Sequence, residues 1–209
     1  MENILVAGAN GTTGKKIVNL LNASQYFKPV AMVRKAEQEE QFKKDGIETV
    51  LGDLEKDISH TVKGIDKVIF AAGSGGKNVI DVDQEGAKKL VDASKKANVK
   101  KFVMLSSMGA DNPEKASDLK NYLMAKHNAD EYLKLSELTY AIVRPGSLTD
   151  NNATEHIELE KSLNKSGSIS RADVAQTLVR SLHDDAAINQ TFEIIEGNTL
   201  IGKALDTLS

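Results

Sequence analysis

The sequence predicts a doubly wound α/β domain built on a parallel sheet, and three observations carry the prediction. Short β-branched runs alternate with longer amphipathic stretches along all 209 residues, the pattern of strands and crossover helices in one layered domain. The first, fourth and fifth runs are almost continuously apolar, as strands covered on both faces are. A glycine-spaced turn, Gly8-Ala9-Asn10-Gly11-Thr12-Thr13-Gly14, joins the first run to the first helical stretch.

Taken in order, the strand runs are residues 3–7 (NILVA), 29–33 (PVAMV), 47–51 (IETVL), 67–71 (KVIFA), 101–105 (KFVML), 138–143 (LTYAIV) and 191–195 (TFEII). They predict a sheet of about six or seven strands. Helical spacing appears between them. Ile17, Leu20 and Leu21 share one face; Ala87, Leu90, Val91 and Ala97 share a second; Leu119, Leu123 and Leu133 share a third. Residues 172–182 carry Val174, Leu178, Val179 and Leu182 on a fourth. Pro113 reads as a loop residue, and Pro29 and Pro145 as punctuation at strand ends. Residues 147–168 break the pattern. They are polar, with Asn151, Asn152 and Asn164, and their large apolar residues are Leu148, Ile157, Leu159 and Leu163. They read as a solvated excursion with a short helix or, alternatively, as a mobile rim over a site.

Composition narrows the function. The length suits a single domain spanning residues 1–209. There is no cysteine, which excludes disulfide scaffolds, Cys-based zinc sites, iron–sulfur clusters and thiol catalysis. A net charge of −3 without basic blocks argues against a nucleic-acid surface. Lys88-Lys89 and Lys95-Lys96 read as a solvated helix face. No apolar run approaches the ~20 residues that cross a bilayer, and the amino terminus has no basic flank ahead of its apolar run. A cytoplasmic protein without membrane or nucleic-acid partners is expected. His60, His127, His156 and His183 are scattered, and His156 with Glu160 lacks a third ligand; no metal site is expected.

Gly8, Gly11 and Gly14 carry the sharpest chemical signal. Glycines in a strand–turn–helix allow a tight turn, let backbone N–H groups approach a pyrophosphate at a helix N-terminus, and permit close helix–strand packing. Asn10, Thr12 and Thr13 share the loop and are expected to line the same site. The spacing is G-x-x-G-x-x-G, not G-x-G-x-x-G; with a second strand ending about twenty residues later, it predicts dinucleotide binding in a Rossmann-type fold.

At the end of that second strand stands Arg34-Lys35, where an acidic residue would read a free ribose 2′-hydroxyl. A guanidinium and an ammonium suit a 2′-phosphate through charge-assisted bonds. NADP(H) is expected over NAD(H); a merely solvated helix entry is the alternative. Gly52-Asp53-Leu54 closes the third strand. Asp53 can accept from an adenine amino group while Leu54 lies against the ring, or Asp53 can cap a helical turn. Ala71-Ala72-Gly73 follows the fourth strand. These small residues either let the cofactor lie against the backbone or form part of a long turn with Gly75 and Gly76.

The fifth strand ends Leu105-Ser106-Ser107, projecting hydroxyls from the carboxyl edge of the sheet, where such folds place ligands. Tyr122 and Lys126, four apart in a helical stretch, share a face. An ammonium beside a phenol favours the phenolate and makes the hydroxyl a usable proton donor near neutrality. A proton source, an oxygen anchor and a positioned hydride are what carbonyl reduction requires. Tyr132 is an internal control, since Ser136 stands four residues on.

On these residues the chain resembles an atypical short-chain dehydrogenase/reductase of the small NAD(P)-binding, NmrA-like and flavin-reductase-like branch. The likeness spans GANGTTGKKIV (8–18), VRK (33–35), GDLE (52–55), AAG (71–73), KKFVMLSSMGA (100–110), YLMAK (122–126), YAIVRPGSLTD (140–150) and ISRADVA (169–175). The resemblance implies strand order 3-2-1-4-5-6. It implies that Gly8, Gly11 and Gly14 line the pyrophosphate, Arg34 meets the 2′-phosphate, and Asp53 and Leu54 hold the adenine. It implies that Ser107 orients the substrate, Tyr122 is the acid/base, and Lys126 binds the nicotinamide ribose and tunes Tyr122. Ser107 is preferred over Ser106 because it falls one residue further past the strand end. Arg144-Pro145-Gly146 resembles the segment that closes around the nicotinamide.

The implied function is NADPH-dependent reduction of a small carbonyl, quinone or flavin-like acceptor by a monomer or homodimer. Two alternatives stand beside it. Some relatives bind NADP(H) as redox sensors without turnover; others are sugar-nucleotide epimerases or dehydratases, but extended members carry a large C-terminal substrate domain. Here substrate recognition falls mainly to residues 147–209, which suits a small or flat acceptor in a shallow cleft.

Overall fold

In the computed structural model, which describes residues 1–116 and 118–208, the sheet is organised around β1 (Glu2–Ala7). Ile4 and Val6 point to one face, Leu5 and Ala7 to the other, and all four are fully buried. After β1 come α1 (Thr12–Asn22), β2 (Phe27–Val33), α2 (Ala36–Lys44), β3 (Glu48–Leu51) and β4 (Lys67–Phe70). A π-helical stretch, Val79–Gly86, runs into α3 (Ala87–Lys96), followed by β5 (Lys101–Leu105), α4 (Lys120–Lys134) and β6 (Tyr140–Pro145). The last third holds β7 (Ser147–Thr149), β8 (His156–Glu160), β9 (Ser168–Ser170), α5 (Arg171–Arg180), β10 (Gln190–Glu196), β11 (Thr199–Leu200) and α6 (Ile201–Asp206).

Among the described residues nine strands, more than the six or seven expected, form one sheet in the order β3-β2-β1-β4-β5-β6-β10-β8-β11, and β7 pairs with β9 separately. The 3-2-1-4-5-6 order is present, β10 extends it in parallel, and β8 pairs antiparallel with both neighbours. All seven expected runs are strands. Helices α1 and α5 cover one face through Ile17, Leu21, Val174 and Leu178; α3 and α4 cover the other through Leu90, Val91, Ala129 and Leu133. No helix among the described residues is long and apolar enough to cross a membrane.

Four further details differ from expectation. Residues 147–168 hold no helix; they contribute β7, β8 and the start of β9. The reason is the alternation His156-Ile157-Glu158-Leu159-Glu160, which sends Ile157 into the core beside β10. Ala97 is exposed just past α3, with Ala93 and Ser94 buried instead. Leu119, 59% exposed, precedes α4 and is not part of its buried face. Pro29 lies inside β2, one residue before that strand's pairing with β3 begins at Val30.

Two buried lysines fasten the foot of the sheet. Lys67 and Lys101 open β4 and β5 at 1% exposure each. Lys67 Nζ lies 2.7 Å from both Glu2 and Asp184 and donates to the Leu182 carbonyl at 2.9 Å. Lys101 Nζ donates to the His183 and Ala186 carbonyls at 2.8 and 2.5 Å. Carbonyls of the turn just beyond α5 thus face cationic donors, as helix C-termini favour.

Candidate active site

The site forms where β1 turns into α1 at the carboxyl edge of the sheet. Gly8 has φ +87°, and a Cβ there would lie 2.6 Å from the Ala72 backbone, so only glycine serves. The Gly11 N–H donates to the Gly8 carbonyl at 2.9 Å, and a Cβ on Gly14 would overlap that same carbonyl. Helix α1 starts after Gly11 without a side-chain cap. Its first N–H groups, at Thr12, Thr13 and Gly14, therefore have no intrahelical acceptor. These three residues line a cleft of about 610 Å³.

One end of the cleft is formed by Val33, Arg34, Gln38, Asp53 and Leu54. Gln38 Oε1 accepts from the backbone N–H groups of Arg34 and Lys35 at 3.0 and 3.1 Å, shaping the turn between β2 and α2. Asp53 lines the cleft, and its Oδ1 accepts from the Glu55 N–H at 3.1 Å in the turn after β3. Ala71, Ala72 and Gly73 form the middle.

The other end holds Leu105, Ser106, Tyr122, Lys126, Leu148 and Arg171. Lys126 is buried, donates to the Leu105 carbonyl at 3.3 Å and lies 3.5 Å from Asp83 Oδ1. Its ammonium stands 5.7 Å from the centre of the Tyr122 ring. Asp83 comes from the π-helical stretch, a distortion found often at functional sites, and its Oδ2 accepts from the Ser74 N–H at 3.0 Å. Ser106 Oγ donates to Asp130 Oδ2 at 2.8 Å, beneath the cleft wall. Burial pushes the Asp130 carboxyl above its ordinary range, opposed by Arg144, whose Nε donates to it at 2.9 Å.

Of the residues expected from sequence, Gly8, Asn10, Gly11, Thr12, Thr13, Gly14, Arg34, Asp53, Leu54, Ala71, Ala72, Gly73, Tyr122 and Lys126 line this one cleft. Five lie off it. Lys35 is exposed at the entry to α2. Ser107 Oγ donates to the Met108 carbonyl at 3.3 Å. Arg144 is drawn beneath the wall by its pair with Asp130. Pro145 ends β6, and Gly146 donates its N–H to the Ile194 carbonyl at 2.9 Å, packed against the Gly167 backbone. Sequence reasoning did not single out Gln38, Val82, Arg171, Asp83 or Asp130, and it named Leu148 only as part of a segment that could rim a site. Gln38 had a readable signal, a side chain able to reach back over its helix entry. Arg171 pairs with Asp150 at 3.0 Å across the rim. Among the described residues no group of three or more His, Asp or Glu is arranged to hold a metal ion; His156 and Glu160 occupy opposite ends of β8.

A turn that only glycine can make, open N–H groups at a helix start and a cation at the far end fit a dinucleotide phosphate chain. The comparisons agree with that geometry. A family model described as NAD(P)H-binding matches residues 8–185. YhfK of Bacillus subtilis, which carries the name of an uncharacterized sugar epimerase, is 40% identical over 213 residues, covering 98% of this chain and 99% of its own. Sanguinarine reductase of Eschscholzia californica is 29% identical over 251 residues, covering 96% of this chain and 91% of its own. A solved structure from Bacillus halodurans, provisionally named an NAD-dependent epimerase/dehydratase, superposes with a TM-score of 0.95 at 36% identity, with 100% of both chains covered.

Proposed function

This chain belongs to the NAD(P)H-binding family, and from that premise we propose that it is an NADPH-dependent oxidoreductase reducing a small carbonyl, quinone or flavin-like acceptor. The observation that carries the reading is one continuous cleft with the glycine cradle in its middle and Tyr122 and Lys126 at its end. Bound NADPH supplies the hydride. The N–H groups of Thr12, Thr13 and Gly14 hold the diphosphate, and Arg34, with Lys35 beside it, meets the 2′-phosphate. Asp53 and Leu54 take the adenine, and Ala71, Ala72 and Gly73 leave room for the cofactor against the backbone.

At the reacting end, the Tyr122 hydroxyl donates a proton to the acceptor as it is reduced. Lys126 lies over the Tyr122 ring and supplies positive charge where the phenolate develops. Ser106 forms the polar wall with Ser107 behind it, and Arg144 acts from below through Asp130. Pro145 and Gly146 carry the chain from that wall to Leu148. Leu148 offers apolar surface at this end of the cleft, which suits a flat acceptor. The likeness to sanguinarine reductase supports reduction, whereas the name given to YhfK supports an epimerase; NADPH consumption separates the two.

The test begins with thermal shifts in NADPH, NADP⁺, NADH and NAD⁺, since a ligand that binds only the folded state raises its stability. NADPH is expected to bind more tightly than NADH, and Arg34→Ala to erase the difference. The loss corresponds to about 10- to 100-fold in affinity for a charge-assisted contact. Tyr122→Phe is expected to keep NADPH binding and to lose about 10²- to 10⁴-fold in turnover across an acceptor panel. Full turnover in Tyr122→Phe would remove the acid from this residue. Failure of the wild type to bind NADPH would remove the reading, and sugar-nucleotide epimerisation without net NADPH consumption would replace it.

A further inference from the structure

Ser106 has one proton, and its neighbours decide where that proton points. The residue stands at the end of β5 on the cleft wall, 3% exposed. Its Oγ lies 2.8 Å from Asp130 Oδ2, and Arg144 Nε and Nη2 each lie 2.9 Å from the same oxygen. A proton on Oδ2 would collide with these three donors. A proton on Oδ1 would have nothing to meet, because that buried atom has no hydrogen-bond partner among the described residues. Oδ2 is therefore an acceptor only, whichever state Oδ1 takes. A serine hydroxyl carries one donor and two acceptor lone pairs. With its proton committed to Asp130, the Ser106 hydroxyl has only lone pairs left to offer a group in the cleft the residue lines.

We propose that Ser106 is an acceptor-only subsite that recognises an N–H or O–H group on the bound ligand, and that it does not hold a carbonyl oxygen. The inference rests on the dinucleotide reading above and sharpens it. The oxygen of a reducible acceptor must be met by Tyr122 and Lys126, which have protons to give, while the opposite polar wall selects a donor. Asp130 and Arg144 are positioning residues: they orient Ser106 and touch no ligand themselves. Two ligand groups present the required chemistry, the amino hydrogens of the nicotinamide carboxamide and a ring N–H or O–H on the acceptor.

Calorimetric titration of wild type and Ser106→Ala with NADP⁺ and its 3-acetylpyridine analogue tests the first source. The analogue replaces the carboxamide amino group with a methyl. The wild type is expected to prefer NADP⁺ by about three- to tenfold, the worth of one net hydrogen bond, and Ser106→Ala to bind the two alike. The second arm measures KM for flavin- and quinone-type acceptors in their N–H or O–H forms and their methylated forms. If the acceptor is the source, methylation raises the wild-type KM by a similar factor, leaves Ser106→Ala unmoved, and the dinucleotide preference is missing. No preference by the wild type in either arm overturns the proposal, a result that does not depend on how the variant folds. A preference that survives in folded Ser106→Ala overturns it equally. Binding of neither dinucleotide overturns the dinucleotide reading itself, and this proposal with it.

Discussion

Gly14 and Gly202 offer a matched pair of substitutions with opposite expected signs. Both lie in the first turn of a helix, α1 and α6, where alanine is favoured over glycine by at most the helix-interior value of about 1 kcal/mol. Around Gly202 a Cβ would meet nothing within 4 Å, so Gly202→Ala should gain up to about 1 kcal/mol. At Gly14 the same atom would overlap the Gly8 carbonyl oxygen and lie 2.8 Å from its carbon and 3.0 Å from Ala9 Cα. All three atoms are backbone and cannot rotate away. Overpacking costs about 1–3 kcal/mol, and an overlap with backbone belongs at the upper end, leaving Gly14→Ala about 2 kcal/mol less stable. With about 2–4 °C per kcal/mol for a chain of this size, Gly14→Ala should melt about 4–8 °C lower and Gly202→Ala up to about 2–4 °C higher. The displaced cradle should also cost Gly14→Ala its NADPH affinity in a fluorescence titration, while Gly202→Ala titrates as wild type. A Gly14→Ala protein stabilised like Gly202→Ala would refute the close approach of α1 to the loop. A destabilised one with unchanged NADPH affinity would refute the cradle as the phosphate site.

Two further outcomes follow from buried charges. Burial, with Lys67 second, lowers the Lys101 ammonium from its ordinary 10.5 to about 8. Between those values the unfolded chain binds more protons than the folded one, so this site makes stability rise with pH from about 8 to 10.5. Urea midpoints at about pH 7.5 and 9.5 should therefore differ less in Lys101→Met than in wild type; an equal pH dependence would count against it. Asp130→Ala leaves the Arg144 guanidinium buried without its carboxylate and should cost about 3–5 kcal/mol in chemical denaturation. A loss below about 1 kcal/mol would show that the pair is not held as described.

What could be read from the sequence was local. The seven strand runs, the glycine cradle, Arg34 at a strand end and Tyr122 with Lys126 on one helix face each depend on residues close together in the chain. Strand β8 was half legible: its apolar–polar alternation has the right period, but polar neighbours on both sides masked it. Strands β7 and β9, three residues each, exist through their mutual pairing and have no signature of their own. The two serines show the limit most clearly. Neighbouring residues of an extended segment face opposite ways, so one position decides which hydroxyl meets the cleft. Counting past the strand end favoured Ser107, whereas Ser106 lines the wall.

The sequence by itself determined the layered parallel sheet and the dinucleotide cradle, because strand periodicity and the reach of a glycine turn are properties of neighbouring residues and their backbone. The tertiary structure alone decided the partners of the buried charges. Asp83 lies against Lys126, Asp130 against Ser106 and Arg144, and the two lysines at the sheet foot against the carbonyls beyond α5. A charge removed from water must find its counterpart wherever the fold brings one within reach. That partner is chosen by packing between distant segments, and no spacing in the sequence records it.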